Sequence, residues 1–197
     1  HGLLRRQRQM CIRDRNWAIP VYAHIPLIHG EDGKKLSKRN AATSVIEYKK
    51  MGYPAAAMRN YLARLGWSHG DDEFFTDEQA KTWFNLQSIG KSPSRFDFKK
   101  LSNISKLHIA NTDNAALLHE LTGYLKAVGQ PAFSQAQLNG LLKSLDFTKN
   151  AVKSLSELIE KNRFILQERP IFLDPDIEER IEDLPLNVLK ILTPQLQ

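Results

Sequence analysis

Two lysines bracket a serine in Lys35-Leu36-Ser37-Lys38-Arg39, directly after the turn Glu31-Asp32-Gly33-Lys34. A lysine ammonium is a compact point charge with three donors, so a pair of them can follow negative charge as it builds on phosphate oxygens. Arginine prefers a fixed bidentate geometry instead. A glycine turn leading into such a pair suits a loop that closes over a nucleotide's triphosphate. The same residues would also serve as a solvated basic turn, because Asp32-Gly33 between two apolar runs is a strong hairpin signal.

The elements that must position this stretch are legible in the periodicity. Ile19 to Ile28 is rich in Val, Ile and Tyr and reads as the one clear strand region, with Pro20 and Pro26 placing it at an edge or at element boundaries. Pro54 opens a helix with apolar residues at Met58, Tyr61, Leu62 and Leu65, and Gly66 is expected to close it in the left-handed region. Thr76 with Gln79 forms a capping-box pattern ahead of Trp83 and Phe84, and Gly90 to Pro93 breaks the chain before Arg95-Phe96-Asp97. Thr112 starts a helix that carries Leu117, Leu118, Leu121, Tyr124, Leu125 and Val128 and ends at Gly129-Gln130-Pro131. Ser134 and Gln137 repeat the capping-box signal, and a further helix is expected from about Lys149 to Asn162. Asp174-Pro175 opens a short acidic helix to Asp183, and Pro185 opens one toward Leu192. The breaks have no fixed period, which argues against a solenoid.

Composition narrows the class. A single cysteine, Cys11, has no intrachain partner, which excludes a disulfide framework. No apolar run approaches the length of a membrane span, and Arg5, Arg6 and Arg8 are not followed by a signal-peptide core, so a soluble, cytoplasmic chain is expected. Residues 1–15 hold five Arg against one Asp, and are expected to be a non-native or disordered basic segment, with an RNA-contacting arm as the alternative. Residues 16–100 carry 13 Lys and Arg against 9 Asp and Glu, while residues 101–197 carry 10 against 12, so positive potential gathers in the half that holds the lysine pair.

Other clusters read as structural. His69-Gly70-Asp71-Asp72-Glu73 could be drawn as a metal site, yet its position after a helix end favours a polar loop, and His24 and His29 lack a third ligand at useful spacing. No metal site is expected. Trp67, Trp83, Phe84 and Phe96 are expected to pack inward.

Lys35 to Arg39 resembles the KMSKS loop of class I aminoacyl-tRNA synthetases, in the form KLSKR that bacterial glutamyl-tRNA synthetases use. His24-Ile25-Pro26 through Gly33-Lys34 is similar to the family's strand running into that loop. Thr43-Ser44-Val45, Met51-Gly52-Tyr53, Asn60-Tyr61-Leu62, Leu65-Gly66-Trp67 and Ser92-Pro93-Ser94-Arg95-Phe96-Asp97 are similar to its stem-contact region. The likeness runs from about Asn16 onward and thins after Leu101. Asn40-Ala41 stands where the family commonly has His-Gly, and the family's HIGH motif is expected to belong to a first half that this sequence lacks.

The resemblance implies a mainly α fold: the end of a nucleotide-binding α/β domain with a short β element (16–43), a stem-contact region (44–110) and an all-α anticodon-binding domain (111–197). It implies ATP with Mg²⁺ as cofactors, glutamate as substrate, tRNA(Glu) as partner with tRNA(Gln) as a second candidate, and a monomer. Lys38 would be the main phosphate contact, Lys35 and Arg39 supporting cations, Ser37 a hydroxyl donor, and Leu36 part of the same ATP-binding loop. Arg95, Lys149, Lys153 and Arg163 would contact tRNA, against the alternative of ordinary solvated charges. By itself this stretch would not aminoacylate. The reading from another class is a noncatalytic helical module that binds tRNA or a protein partner.

Overall fold

A computed structural model describes residues 10–18, 20–30, 32–36 and 44–167. Two short strands, β1 (Ile28–His29) and β2 (Ser94–Arg95), pair in parallel, Ile28 with Ser94 and His29 with Arg95. The helices are α1 (Val45–Lys50), α2 (Ala55–Gly66), α3 (Asp77–Trp83), α4 (Phe98–Asn111), α5 (Asn114–Val128), α6 (Gln135–Thr148), α7 (Leu155–Lys161) and α8 (Arg163–Leu166), with a 3₁₀ turn at Lys149–Ala151. A parallel pair needs a long crossover, and α1 to α3 supply it between β1 and β2.

Helix starts follow side-chain chemistry. Thr76 and Ser134 form complete capping boxes with Gln79 and Gln137, as their spacing predicts. Asp97 accepts from the N–H groups of Lys99 and Lys100 and so starts α4, just after the expected break at Gly90 to Pro93. Gly129, at φ 71°, ends α5 in the left-handed region.

Two apolar cores result, and α4 belongs to both. Tyr48, Ala57, Met58, Tyr61, Phe96, Leu101 and Ile104 form the first, with Ile28 and Leu36 packed against it. Ile109, Leu117, Leu121, Leu145, Val152, Leu155 and Leu158 form the second. Leu101, Ile104, Ser105, His108 and Ile109 fall at positions i, i+3, i+4, i+7 and i+8, so one stripe of α4 enters one core near its start and the other near its end. The units expected on either side of residue 110 thus share a helix. They also meet at Gly52, which sits at φ +87° with its carbonyl accepting the Leu155 N–H at 2.8 Å. A Cβ there would lie 2.7 Å from the Ser156 nitrogen, so only glycine lets the α7 start approach this turn.

Several expectations are corrected. Strand pairing covers only Ile28–His29 of the region from Ile19, and Ile25 instead packs on Gly66. Gly66 remains helical, and a Cβ there would stand 2.7 Å from Ile25 Cγ2, so the glycine lets Ile25 lie close on the helix. Thr112 caps the end of α4 rather than opening α5, whose N-cap is Asp113. The helix expected from Lys149 to Asn162 is broken at Val152 to Ser154, where Val152 turns into the second core and Ser154 caps α7. Among the aromatics, Trp67 and Phe96 are buried and Trp83 stacks on His69 at 4.2 Å, but Phe84 is 55% exposed. The helices expected at 174–183 and 185–192 lie outside the described residues.

Candidate phosphate-binding loop and its supporting strands

The loop's base is a hairpin whose first strand is β1. Gly30 N–H donates to Lys34 O at 2.8 Å and Leu36 N–H to Ile28 O at 3.0 Å, which pairs His29 with Lys35 in antiparallel fashion. Gly33 N–H closes the turn onto Gly30 O at 3.0 Å, and Asp32 Oδ1 accepts the Lys34 N–H at 3.0 Å. The Asp32 carboxylate is therefore engaged with backbone rather than with a lysine ammonium. On its other edge β1 meets β2, through Ser94 N–H to Leu27 O at 3.3 Å and Phe96 N–H to His29 O at 2.8 Å.

Alternation then sorts the side chains. Ile28, Leu36 and Phe96 turn into the first core. Their neighbours His29, Lys35 and Arg95 are thereby turned to the opposite face, with Lys35 and Arg95 exposed and His29 half-buried. Leu36, packed against the first core, ties the end of the hairpin to it. A Cβ on Gly33 would sit 3.7 Å from Arg95 Nη2, so the Arg95 guanidinium lies beside the turn. Neither Lys35 nor Arg95 has an acidic partner among the described residues. The hairpin expected from Asp32-Gly33 is present, and it presents Lys35 on a base packed against the first core.

Ser37, Lys38 and Arg39 lie outside the described residues. The other three candidates lie in the second half of the chain, on the 3₁₀ turn, before α7 and on α8. Lys149 donates from Nζ to Thr112 O at 2.9 Å, placing its charge on the carbonyl end of α4. One donor of an expected RNA contact is thereby spent on holding a helix end. Lys153 is exposed, while its backbone bonds to Glu157 Oε2 and accepts from Ser105 Oγ at 2.6 Å. Arg163 Nη1 lies 3.6 Å from Glu160 Oε1, both side chains largely in solvent.

Other polar groups serve the scaffold. Asn60, 2% exposed, accepts at Oδ1 from the Phe75 N–H at 3.1 Å and meets His108 Nε2 at 2.9 Å, while its Nδ2 donates to Glu73 O at 3.1 Å. Burial pushes the His108 imidazole below its ordinary pKa. Arg59 holds Asp77 in a bidentate pair that lowers the Asp77 carboxyl. An apolar groove of about 480 Å³ lies between α1, α2 and α5, with burial raising the pKa of Glu120 on its wall. His69 Nδ1 pairs with Asp72 Oδ2 at 3.1 Å, the polar loop expected there. No group of three His, Cys, Asp or Glu able to hold a metal occurs among the described residues.

A parallel strand pair bridged by helices, with a lysine-bearing hairpin at its edge and a helical unit beyond, is the arrangement that comparison with known proteins places in a family. The profile described as tRNA synthetases class I (E and Q), catalytic domain, matches residues 3–103, and the chain belongs to that family. A glutamate–tRNA ligase 1 of Jannaschia sp. is 56% identical over 181 residues, covering 92% of this chain and 38% of the relative. A glutamate–tRNA ligase 2 of Ruegeria pomeroyi is 56% identical over 191 residues, covering 96% and 41%. The crystal structure of a glutamate-tRNA synthetase from Elizabethkingia anophelis shares the fold, with a TM-score of 0.60 at 23% identity, over 87% of this chain and 37% of that one. The chain thus spans about two fifths of the length of the curated relatives it matches.

The profile match runs from residue 3, ahead of Asn16 where the likeness was expected to begin, to residue 103, and residues 10–14 are helical. Because β1 has its strand partner at Ser94–Arg95, the hairpin's base and that later segment belong to one sheet.

Proposed function

We propose that the chain is part of a glutamate–tRNA ligase, an enzyme that joins glutamate to ATP with release of pyrophosphate and passes the glutamyl group to the 3′ end of tRNA(Glu). The observation that carries this reading is the cationic hairpin on a core-anchored base, in a chain more than half identical to glutamate–tRNA ligases over nearly its whole length. Exposed Lys35, without an acidic partner among the described residues, suits the phosphate oxygens of ATP, whose Mg²⁺ neutralises part of their charge.

Activation needs no protein nucleophile. The glutamate carboxylate attacks the α-phosphorus, the bond to the bridging oxygen breaks, and the departing pyrophosphate takes up the electron pair. The protein's share is alignment and charge neutralisation. Lys38 acts as the principal cation on the phosphates, Lys35 and Arg39 support it, and Ser37 donates a hydroxyl hydrogen bond. Arg95, Lys149, Lys153 and Arg163 form the RNA side, with Lys149 contributing through the donors not held by Thr112. The protein works as a cytoplasmic monomer in this reading.

The complete gene product, given glutamate, ATP and tRNA transcripts, should charge tRNA(Glu); parallel assays with tRNA(Gln) decide whether that second candidate is also a substrate. Failure to charge either transcript, with the RNA still bound, would favour the noncatalytic tRNA-binding module.

A further inference from the structure

We propose that His29 and Arg95 extend the phosphate site beyond the lysine loop, so that Lys35, His29 and Arg95 form one cross-strand row that binds phosphate oxygens. The inference rests on the reading of the loop given above and adds two residues to it.

The row is built from three separate segments. His29 pairs with Lys35 on one side and with Arg95 on the other, which makes β1 the centre of a three-stranded patch. The bonds flanking the His29–Lys35 pair, Gly30 N to Lys34 O and Leu36 N to Ile28 O, define a non-hydrogen-bonded pair, the type whose side chains stand closest. Ile28, Leu36 and Phe96 hold the opposite face in the first core, so none of the three basic side chains can turn inward. Arg95 reaches the Gly33 turn, bringing its guanidinium toward the residues that lead into the loop.

The electrostatics favour an outside anion. Like charges side by side on one sheet face oppose folding. Neither Lys35 nor Arg95 has a carboxylate partner among the described residues: Asp32, three residues before Lys35, accepts the Lys34 N–H at Oδ1, and Asp97, two residues after Arg95, accepts the Lys99 and Lys100 N–H groups at Oδ1. An imidazole between the two cations keeps a donor available in either protonation state. Arginine's fork and lysine's point charge then give the row one bidentate and one monodentate partner for phosphate.

Phosphate oxygens reach such a row either on the nucleotide's tail or along an RNA backbone. Titrating the 197-residue chain with inorganic tripolyphosphate, and separately with a labelled tRNA(Glu) transcript, distinguishes the two. His29→Ala and Arg95→Ala should each weaken one or both ligands about tenfold, the loss expected for a hydrogen bond to a charged group. His29→Gln, which retains a donor, should recover most of the affinity, and Lys81→Ala, an exposed lysine on α3, should change nothing. A loss confined to tripolyphosphate assigns the row to the nucleotide, and one confined to the transcript assigns it to RNA. Unaltered binding of both ligands in correctly folded His29→Ala and Arg95→Ala, an equal loss in Lys81→Ala, or no binding by the parent chain overturns the proposal. Lys35→Ala separates the layers: if it alone weakens tripolyphosphate, the row fails while the loop reading stands. If it too is without effect, the loop reading falls with it.

Discussion

Asn60→Ala should be the most damaging single truncation in the scaffold that supports the loop, and its size can be worked from three contacts. Asn60 links α2 to the 73–75 segment and to α4, through Phe75 N–H, His108 Nε2 and Glu73 O, at 3.1, 2.9 and 3.1 Å. Phe75 and His108 are themselves 2% and 7% exposed, so water cannot readily replace the lost amide. An orphaned buried polar group costs roughly 1–3 kcal/mol, and two such groups with a third, more accessible carbonyl put the total at about 3–5 kcal/mol. Urea denaturation of the 197-residue chain, followed by circular dichroism, measures this directly as a shift in midpoint at constant slope. Asn150→Ala, at an exposed position of the 3₁₀ turn, is the matched control and should change stability by less than about 0.5 kcal/mol. A loss below about 1 kcal/mol for Asn60→Ala would show that the network is not buried as described and that α4 is held mainly by its apolar stripe.

Two further outcomes follow from the same scaffold. Gly52→Ala forces a Cβ to 2.7 Å from the Ser156 nitrogen at a φ of +87°, so a loss of about 2 kcal/mol or more is expected in the same denaturation assay. His108 has a folded pKa below its unfolded value because burial disfavours the imidazolium. Its contribution is therefore complete above the unfolded value of about 6.5 and is lost as pH falls below that toward the folded value, since the unfolded chain takes up the proton first. Stability measured from pH 7.5 to 5 should fall, and His108→Gln should flatten that part of the profile; an unchanged slope would remove His108 as the cause.

What was legible in the sequence is what local chemistry determines. Thr76 with Gln79 and Ser134 with Gln137 announced their helices because the capping box is satisfied within four residues. The lysine pair was visible because its charges need no partner within the chain. The misses share a different cause. Gly66 looked like a left-handed cap, but its role is set by Ile25, about forty residues away in the chain. The continuous helix from Lys149 failed because burial of Val152 outweighed propensity. Nothing local reveals that Ser94–Arg95 pairs with Ile28–His29, or that Lys35 pairs with His29, so the shared face of these three residues is set by pairing distant in sequence or across the turn.

We propose that the lysines of the Lys35-Leu36-Ser37-Lys38-Arg39 stretch neutralise charge on ATP's phosphates. Pyrophosphate exchange by the complete gene product, with tRNA(Glu) present, tests it most directly in the variant Lys38→Ala. Removing one preorganised charge should slow exchange by about a hundredfold or more while glutamate binding stays nearly unchanged. An exchange rate equal to that of the unaltered protein would contradict the account.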